Sequence, residues 1–282
     1  MVIQAPDDPL ATYHPELFGG QVTLVTGGGT GIGLATAQAF ARLGSDLVLA
    51  GRRADLLEQA ASRLREQHGV RVECVPTNIR EPAAVDALRD DAYAAFGRVD
   101  TLVNNAGGQF PVLPSQLSDN GWRSVVDLNL NGTWTMLNRF MGPMVEAGGG
   151  TIVTMVHTYV FDRGARFFVH SGAARAGVLS LTRTMASFLA PHGVTVNAIA
   201  PGLIDTSGMR EHEGEAVAAI DLDALGQMGL KTTRRMGSTD EVAAGIVWLA
   251  SPAARYVTGT VLVVDGGLLL DNWPDPWDRD AF

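Results

Sequence analysis

The apolar run "VTLVTG" (Val22 to Gly27) leads directly into "TGGGTGIG" (Thr26 to Gly33) and then into a helical pattern, "IGLATAQAFARLG". Few local sequences restrict a fold more. Gly27 lets the chain turn tightly off a strand, Gly31 lets backbone approach a pyrophosphate, and Gly33 lets helix and strand pack closely. The helix N-terminus then presents free N–H groups and the positive end of its dipole to phosphate oxygens. The spacing is G-x-x-x-G-x-G rather than the commoner G-x-G-x-x-G. Its place after a first strand and before a first helix gives it weight.

The rest of the chain keeps the same rhythm. Further short apolar runs are "DLVLAG", "VRVECV", "VDTLVNNAG", "GTIVTMV", "VTVNAIAPG" and "GTVLVVDGG", seven strand candidates in all. Amphipathic stretches separate them; in "ADLLEQAASRLREQHG" the residues Leu56, Leu57, Ala60, Ala61 and Leu64 recur at helical spacing. Gly44 and Gly69 are read as helix stops. Strands alternating with helices imply parallel pairing and right-handed crossovers. The expected fold is a single doubly wound α/β Rossmann-type domain over residues 1–282, with a seven-stranded, mainly parallel sheet, helices on both faces and ligands at the carboxyl ends of the strands. Three segments stand outside the rhythm. Residues 1–19 are read as an N-terminal extension, 203–236 as a lid over the site, and 268–282 as a tail that packs on its own body or on another subunit.

Composition narrows the function. The chain has 282 residues, 46% hydrophobic and 18% charged, with a formal net charge of -9. The acidic balance argues against a nucleic-acid partner. No uninterrupted apolar stretch reaches membrane-spanning length, and the acidic, proline-containing N-terminus lacks a basic region followed by an apolar one. The expectation is a cytoplasmic protein with no membrane role. Cys74 is the single cysteine, read as a buried strand residue; no metal site is expected.

The second strand ends "LVLAGRR". Where a dinucleotide-binding chain commonly carries an acid for the ribose 2′-hydroxyl, this one has Gly51, Arg52 and Arg53. Guanidinium groups bind phosphate with charge-assisted bonds, so NADP(H) is expected over NAD(H).

These residues resemble the short-chain dehydrogenase/reductase family over about Gly20 to Gly267. "NNAG" (Asn104 to Gly107), "PGLIDT" (Pro201 to Thr206), "TNIR" and "VVDLNLNGTW" agree with it. The resemblance implies cofactor contacts from Gly27, Thr30, Gly31, Ile32, Gly33, Arg52 and Arg53, then from Asn78 and Ile79. It adds Asn105, Ala106 and Gly107, then Arg175, and last Pro201, Gly202, Ile204 and Thr206. Asn78 stands where an adenine-contacting aspartate is common. Asn129 matches the asparagine of the family's catalytic tetrad. The other three tetrad positions depart: Ser171 replaces the tyrosine of Tyr-x-x-x-Lys, Arg175 the lysine, and His157 (or Thr158) the serine.

That departure bears on the chemistry. Carbonyl reduction suits a tyrosine whose pKa is lowered by an ammonium group. Enoyl thioester reduction instead needs donors at the thioester oxygen and a proton at Cα. "NNAGGQF" and "HSGAARAGV" are similar to the trans-2-enoyl-CoA and 2,4-dienoyl-CoA reductase branch, most of all to the peroxisomal trans-2-enoyl-CoA reductases. The resemblance implies Tyr159, two residues after His157, as proton donor, with Ser171 assisting and Asn129 ordering water or substrate. His157 is a second candidate donor to the thioester oxygen, since histidine titrates near neutrality. His170 is read as structural, and Ser171 either caps its helix or belongs to the site. Arg163, Arg166, Arg210, Lys231, Arg234 and Arg235 are candidates to meet the phosphates of an acyl-CoA substrate. A homotetramer through helices resembling Asn120 to Glu146 and Ala173 to Ala190 is also implied. A 3-oxoacyl thioester or other carbonyl/alcohol oxidoreductase, and an NADP-binding protein without turnover, are the alternatives.

Overall fold

The computed structural model describes residues 8–161, 164–165, 167–206 and 235–270. Seven strands form one sheet: β1 (Val22–Thr26), β2 (Asp46–Gly51), β3 (Val72–Pro76), β4 (Thr101–Asn104), β5 (Gly150–Met155), β6 (Val194–Pro201) and β7 (Val261–Val264). Their order is β3-β2-β1-β4-β5-β6-β7, and every adjacent pair is parallel. The chain leaves β3 at one edge and re-enters beside β1 as β4. That reversal opens a crevice at the carboxyl ends of β1 and β4, where open α/β sheets take ligands.

Alternation along the strands sends neighbouring side chains to opposite faces. Val25, Leu47, Leu49, Val103, Val153 and Ile199 face a layer built from α1 (Gly31–Arg42), α2 (Ala54–His68) and α7 (Thr239–Ala250). Leu24, Val48, Leu102, Ile152 and Val196 face α3 (Pro82–Phe96), α5 (Gly132–Glu146) and α6 (Val169–Leu189). A shorter helix, α4 (Asp119–Val126), precedes α5. The strands are shorter than the apolar runs suggest, because Asn105 to Gly107 and the glycines beyond β7 have already left the ladder. Gly69 caps α2 in the left-handed region as expected, whereas α1 ends at Leu43 with Gly44 one residue beyond, at φ +89°.

The described part of the N-terminal extension belongs to the core. Leu10 and Phe18 are buried in the first layer, Phe18 against Phe40 with ring centroids 4.8 Å apart. Arg42 donates to both oxygens of Asp8, at 2.9 and 2.6 Å. Of the expected lid, residues 207–234 lie outside the described residues. Its two ends meet through Asp205 N–H to the Gly237 carbonyl and Gly237 N–H to the Leu203 carbonyl, each 2.9 Å. Residues 271–282 of the tail also lie outside; Leu270, where the described chain ends, is largely exposed. Cys74 is half-buried on the edge strand β3, and burial first, then Glu58, pushes its thiol up to about 12. No described helix is long and apolar enough to cross a membrane.

Candidate active site

Thr26 closes the carboxyl ends of β1 and β4 together. Its Oγ1 accepts from the N–H groups of Asn105 and Ala106, both at 3.0 Å, and donates to the Val103 carbonyl. Asn105 Nδ2 donates to the Thr26 carbonyl at 2.9 Å. Above this clasp lies a cleft of about 290 Å³. Gly27, Thr30, Gly31 and Ile32 line it, as do Arg52 and Arg53, Asn78 and Ile79, Asn105, Ala106 and Gly107, and Thr206.

Gly27 turns at φ +70°, and a Cβ on Gly33 would run into the Gly27 carbonyl, so the α1 N-terminus lies directly on the turn. Thr30 caps α1 without a side-chain bond to it, which leaves the first N–H groups of the helix for an anion. Arg52 and Arg53 are exposed at the end of β2, and Arg53 reaches back to Thr30 Oγ1 at 3.4 Å.

Five expected contacts do not line the cleft. Gly33 is buried beneath it and acts through packing. Arg175 stands behind Gly107, where an added Cβ would collide with its guanidinium. Gly202 packs on Asp265, Pro201 completes β6 beside Val264, and Ile204 is buried in a bridge to Gly237. Residues that the sequence reading missed, Gly29, Thr77, Leu56, Leu57 and Leu128, help to line it. The two leucines of α2 had looked like an ordinary core stripe.

The tetrad positions converge at the far end, on β5, α6 and the join of α4 to α5. That join is one π-helical turn, Asp127–Asn131. The wider turn aims Asn129 inward. Asn129 Oδ1 accepts from Gly108 N–H at 2.9 Å, and its Nδ2 donates to the Gly108 carbonyl at 3.0 Å and to Ser171 Oγ at 3.3 Å. His157 Nε2 lies 3.2 Å from the same Oγ. Ser171 is the third residue of α6, whose N-cap is Phe168, so Ser171 does not cap the helix. Of the two candidates for the family's serine place, His157 is the one that meets Ser171.

His157 carries no charge at neutral pH, though its neutral ring keeps one N–H to donate. Burial, and then the charge of Arg175, hold its pKa down at about 4, so the ring is neutral at pH 7. Tyr159 is half-buried and presents an edge-on ring contact to His157, with centroids 5.3 Å apart. His170 is fully buried; its Nδ1 accepts from Ser171 N–H at 2.8 Å and its ring abuts Phe110, which confirms a structural part. Arg175 is buried and donates to the Met155 carbonyl at 2.6 Å. Burial lowers it to about 10, still charged at neutral pH, and no carboxylate among the described residues pairs with it. A buried cation with that little compensation calls for hydroxyls or an anion from a ligand. Among the acyl-CoA candidates only Arg235 is described. It is tied to Glu241 at 2.6 and 2.8 Å at the start of α7 and is not available as a phosphate ligand. The other five lie outside the described residues.

Residues 27–269 match the family described as enoyl-(acyl carrier protein) reductase. The chain belongs to the short-chain dehydrogenase/reductase family. This makes it an oxidoreductase, and the glycine turn, the bare α1 N-terminus and the waiting guanidinium fit the nicotinamide dinucleotide that the family uses. One short-chain dehydrogenase/reductase relative, the peroxisomal 2,4-dienoyl-CoA reductase of Danio rerio, is 36% identical over 93% of this chain and 86% of its own. Among solved structures, a citronellol catabolism dehydrogenase from Pseudomonas aeruginosa PAO1 is 38% identical, covers 91% of this chain and 98% of its own, and superposes with a TM-score of 0.77. L-sorbose reductase from Gluconobacter frateurii, complexed with NADPH and L-sorbose, is 30% identical with a TM-score of 0.83 over 90% and 98%.

Proposed function

We propose that this short-chain dehydrogenase/reductase uses NADPH to reduce the double bond of a trans-2-enoyl-CoA or 2,4-dienoyl-CoA thioester. One observation carries the reading. The place of the phenol–ammonium pair is taken by an aliphatic hydroxyl, Ser171, bonded to Asn129 and facing a neutral His157. An aliphatic hydroxyl is a poor acid for a carbonyl-derived alkoxide, but a good hydrogen-bond donor to a thioester oxygen that gains charge. The relatives named 2,4-dienoyl-CoA reductase support the substrate class.

When bound, reduced nicotinamide would supply a hydride for Cβ of a trans-2-enoyl thioester, or for Cδ of a 2,4-dienoyl thioester whose product is the 3-enoyl thioester. Arg52 and Arg53 receive the 2′-phosphate that separates NADPH from NADH, and Arg175 takes ribose hydroxyls. Both Nδ2 hydrogens of Asn129 are engaged, so Asn129 holds Ser171 and does not itself donate to substrate. Ser171 places its O–H at the thioester oxygen, and Tyr159 supplies the proton for Cα. The tyrosine recovers it from water.

The test follows absorbance of reduced nicotinamide with trans-2-enoyl-CoA and 2,4-dienoyl-CoA. Consumption of NADPH in preference to NADH is expected with at least one. The alternative, a carbonyl or alcohol oxidoreductase, draws support from the dehydrogenase and ketose reductase among the similar structures. Faster turnover of a 3-oxoacyl-CoA than of either unsaturated thioester would establish it instead.

A further inference from the structure

Two side chains meet at the oxygen of a third. Ser171 Oγ has one proton and two lone pairs, and what its neighbours take decides what it can offer. The Asn129 carboxamide has a fixed orientation. Its Oδ1 accepts from Gly108 N–H at 2.9 Å, and its Nδ2 donates to the Gly108 carbonyl at 3.0 Å. The same Nδ2 lies 3.3 Å from Ser171 Oγ, where an amide nitrogen can only donate. One lone pair of Ser171 is therefore taken.

His157 Nε2, 3.2 Å from Oγ, makes the other contact. Two arrangements satisfy it. With the ring proton on Nε2, His157 fills the second lone pair, and the Ser171 proton is left over. With the ring proton on Nδ1, Nε2 accepts the Ser171 proton, and a lone pair is left over. Burial, and then the Arg175 charge, exclude a ring protonated on both nitrogens at neutral pH. The far side of the ring separates the remaining two. His157 Nδ1 is buried and makes no hydrogen bond. The second arrangement strands an N–H there, the first only a lone pair. An orphaned buried N–H is rarer in folded proteins than an under-used acceptor. A serine at position 157 would leave the matter open, because a hydroxyl both donates and accepts.

We propose that His157 is a positioning residue that, as the Nε2–H tautomer, donates to Ser171 and, with Asn129, turns the only proton of that hydroxyl toward the reacting centre. The cluster is then a donor alone. It favours an oxygen that gains negative charge, and it disfavours a group that must give its own proton to Ser171. This consequence deepens the reaction proposed above and rests on it.

The experiment begins with nitrogen NMR of the full chain carrying isotope-labelled histidine, without ligands, at neutral pH. The spectrum of His157→Phe identifies His157 among the six histidines, and His157→Gln serves should that variant not fold. A neutral ring with its proton on Nε2 is expected. A proton on Nδ1, or on both nitrogens, overturns the proposal. Kinetics then ask whether His157 acts through Ser171. His157→Phe is expected to lower kcat ~10-fold, the effect of one lost hydrogen bond, with NADPH affinity unchanged. His157→Gln keeps an N–H and should lose less. Added to Ser171→Ala, His157→Phe should cost nothing further, because its target is already gone. The same ~10-fold loss in both backgrounds overturns the proposal, since it would mean that His157 only holds the fold. Absence of turnover with every thioester would remove the reaction proposed above, while the spectrum still decides where the proton lies.

Discussion

Ser171 and Arg175 stand one helical turn apart on α6, and the distance between their functions is greater than the spacing suggests. Ser171 takes part in a bonded cluster with Asn129 and His157, while Arg175 bonds the Met155 carbonyl and borders Gly107. An arginine cannot relay a proton as a lysine can. We propose that Tyr159 delivers the proton instead, and Tyr159→Phe is expected to lower kcat at least ~100-fold with NADPH binding unchanged. Near-normal turnover would exclude that tyrosine as the acid. His157 has a different consequence. Its folded pKa, about 4, lies below its unfolded value of 6.5, so between these values the unfolded chain binds the extra proton. Stability is then fully present above about pH 6.5 and is lost as pH falls toward 4, by up to roughly 3 kcal/mol for a shift of this size. Burial shifts His170 in the same direction. Chemical denaturation across this range should show a shallower pH dependence for His157→Gln than for the wild type.

At the scale of elements, the glycine turn and α1 act as one unit. A methyl group at Gly33 would meet both the Gly27 carbonyl and Asn105 Nδ2, neither of which can withdraw without opening the β1–β4 clasp. Gly33→Ala is expected to lose nucleotide affinity more than ~10-fold and to lower Tm by several degrees, the effect of overpacking a rigid contact. Calorimetry with and without NADPH measures both. This unit was legible in the sequence because each glycine there answers a local demand of backbone geometry. The π-helical turn at Asn129 was not: "VVDLNLNGTW" is compatible with an uninterrupted helix, and the extra residue in the turn follows from contacts with Gly108 and Ser171 across the fold. Leu57 and Leu128 escaped notice for a related reason, since an apolar side chain lining a cleft has the same sequence pattern as one in a core.

At the scale of the molecule, the seven strands and their order of appearance were readable because a doubly covered parallel sheet needs continuous apolar strands separated by amphipathic helices. The neutral state of His157 was not readable, because it depends on burial and on a charge from another element. The outer faces of the helices expose Trp122, Trp134 and Phe188, the last 62% exposed on α6. We expect these faces to join copies of the chain into a homotetramer. Light scattering should give four times the 29.8 kDa chain mass, and Phe188→Glu should yield a smaller species. A monomeric wild type would refute this.

The guanidinium of Arg175 also bears on the survival of the protein in contact with its proposed substrate. Acyl thioesters slowly transfer their acyl groups to unprotonated amines, and a desolvated lysine is the most nucleophilic of these. The chain contains a single lysine, Lys231, and none at the tetrad. Arg175, charged even when buried, offers no free amine. The centre thus presents no lysine amine to an acyl thioester. Arg175→Lys should gain one acyl mass and lose activity over time when kept with acyl-CoA at mildly alkaline pH, while the wild type retains its activity.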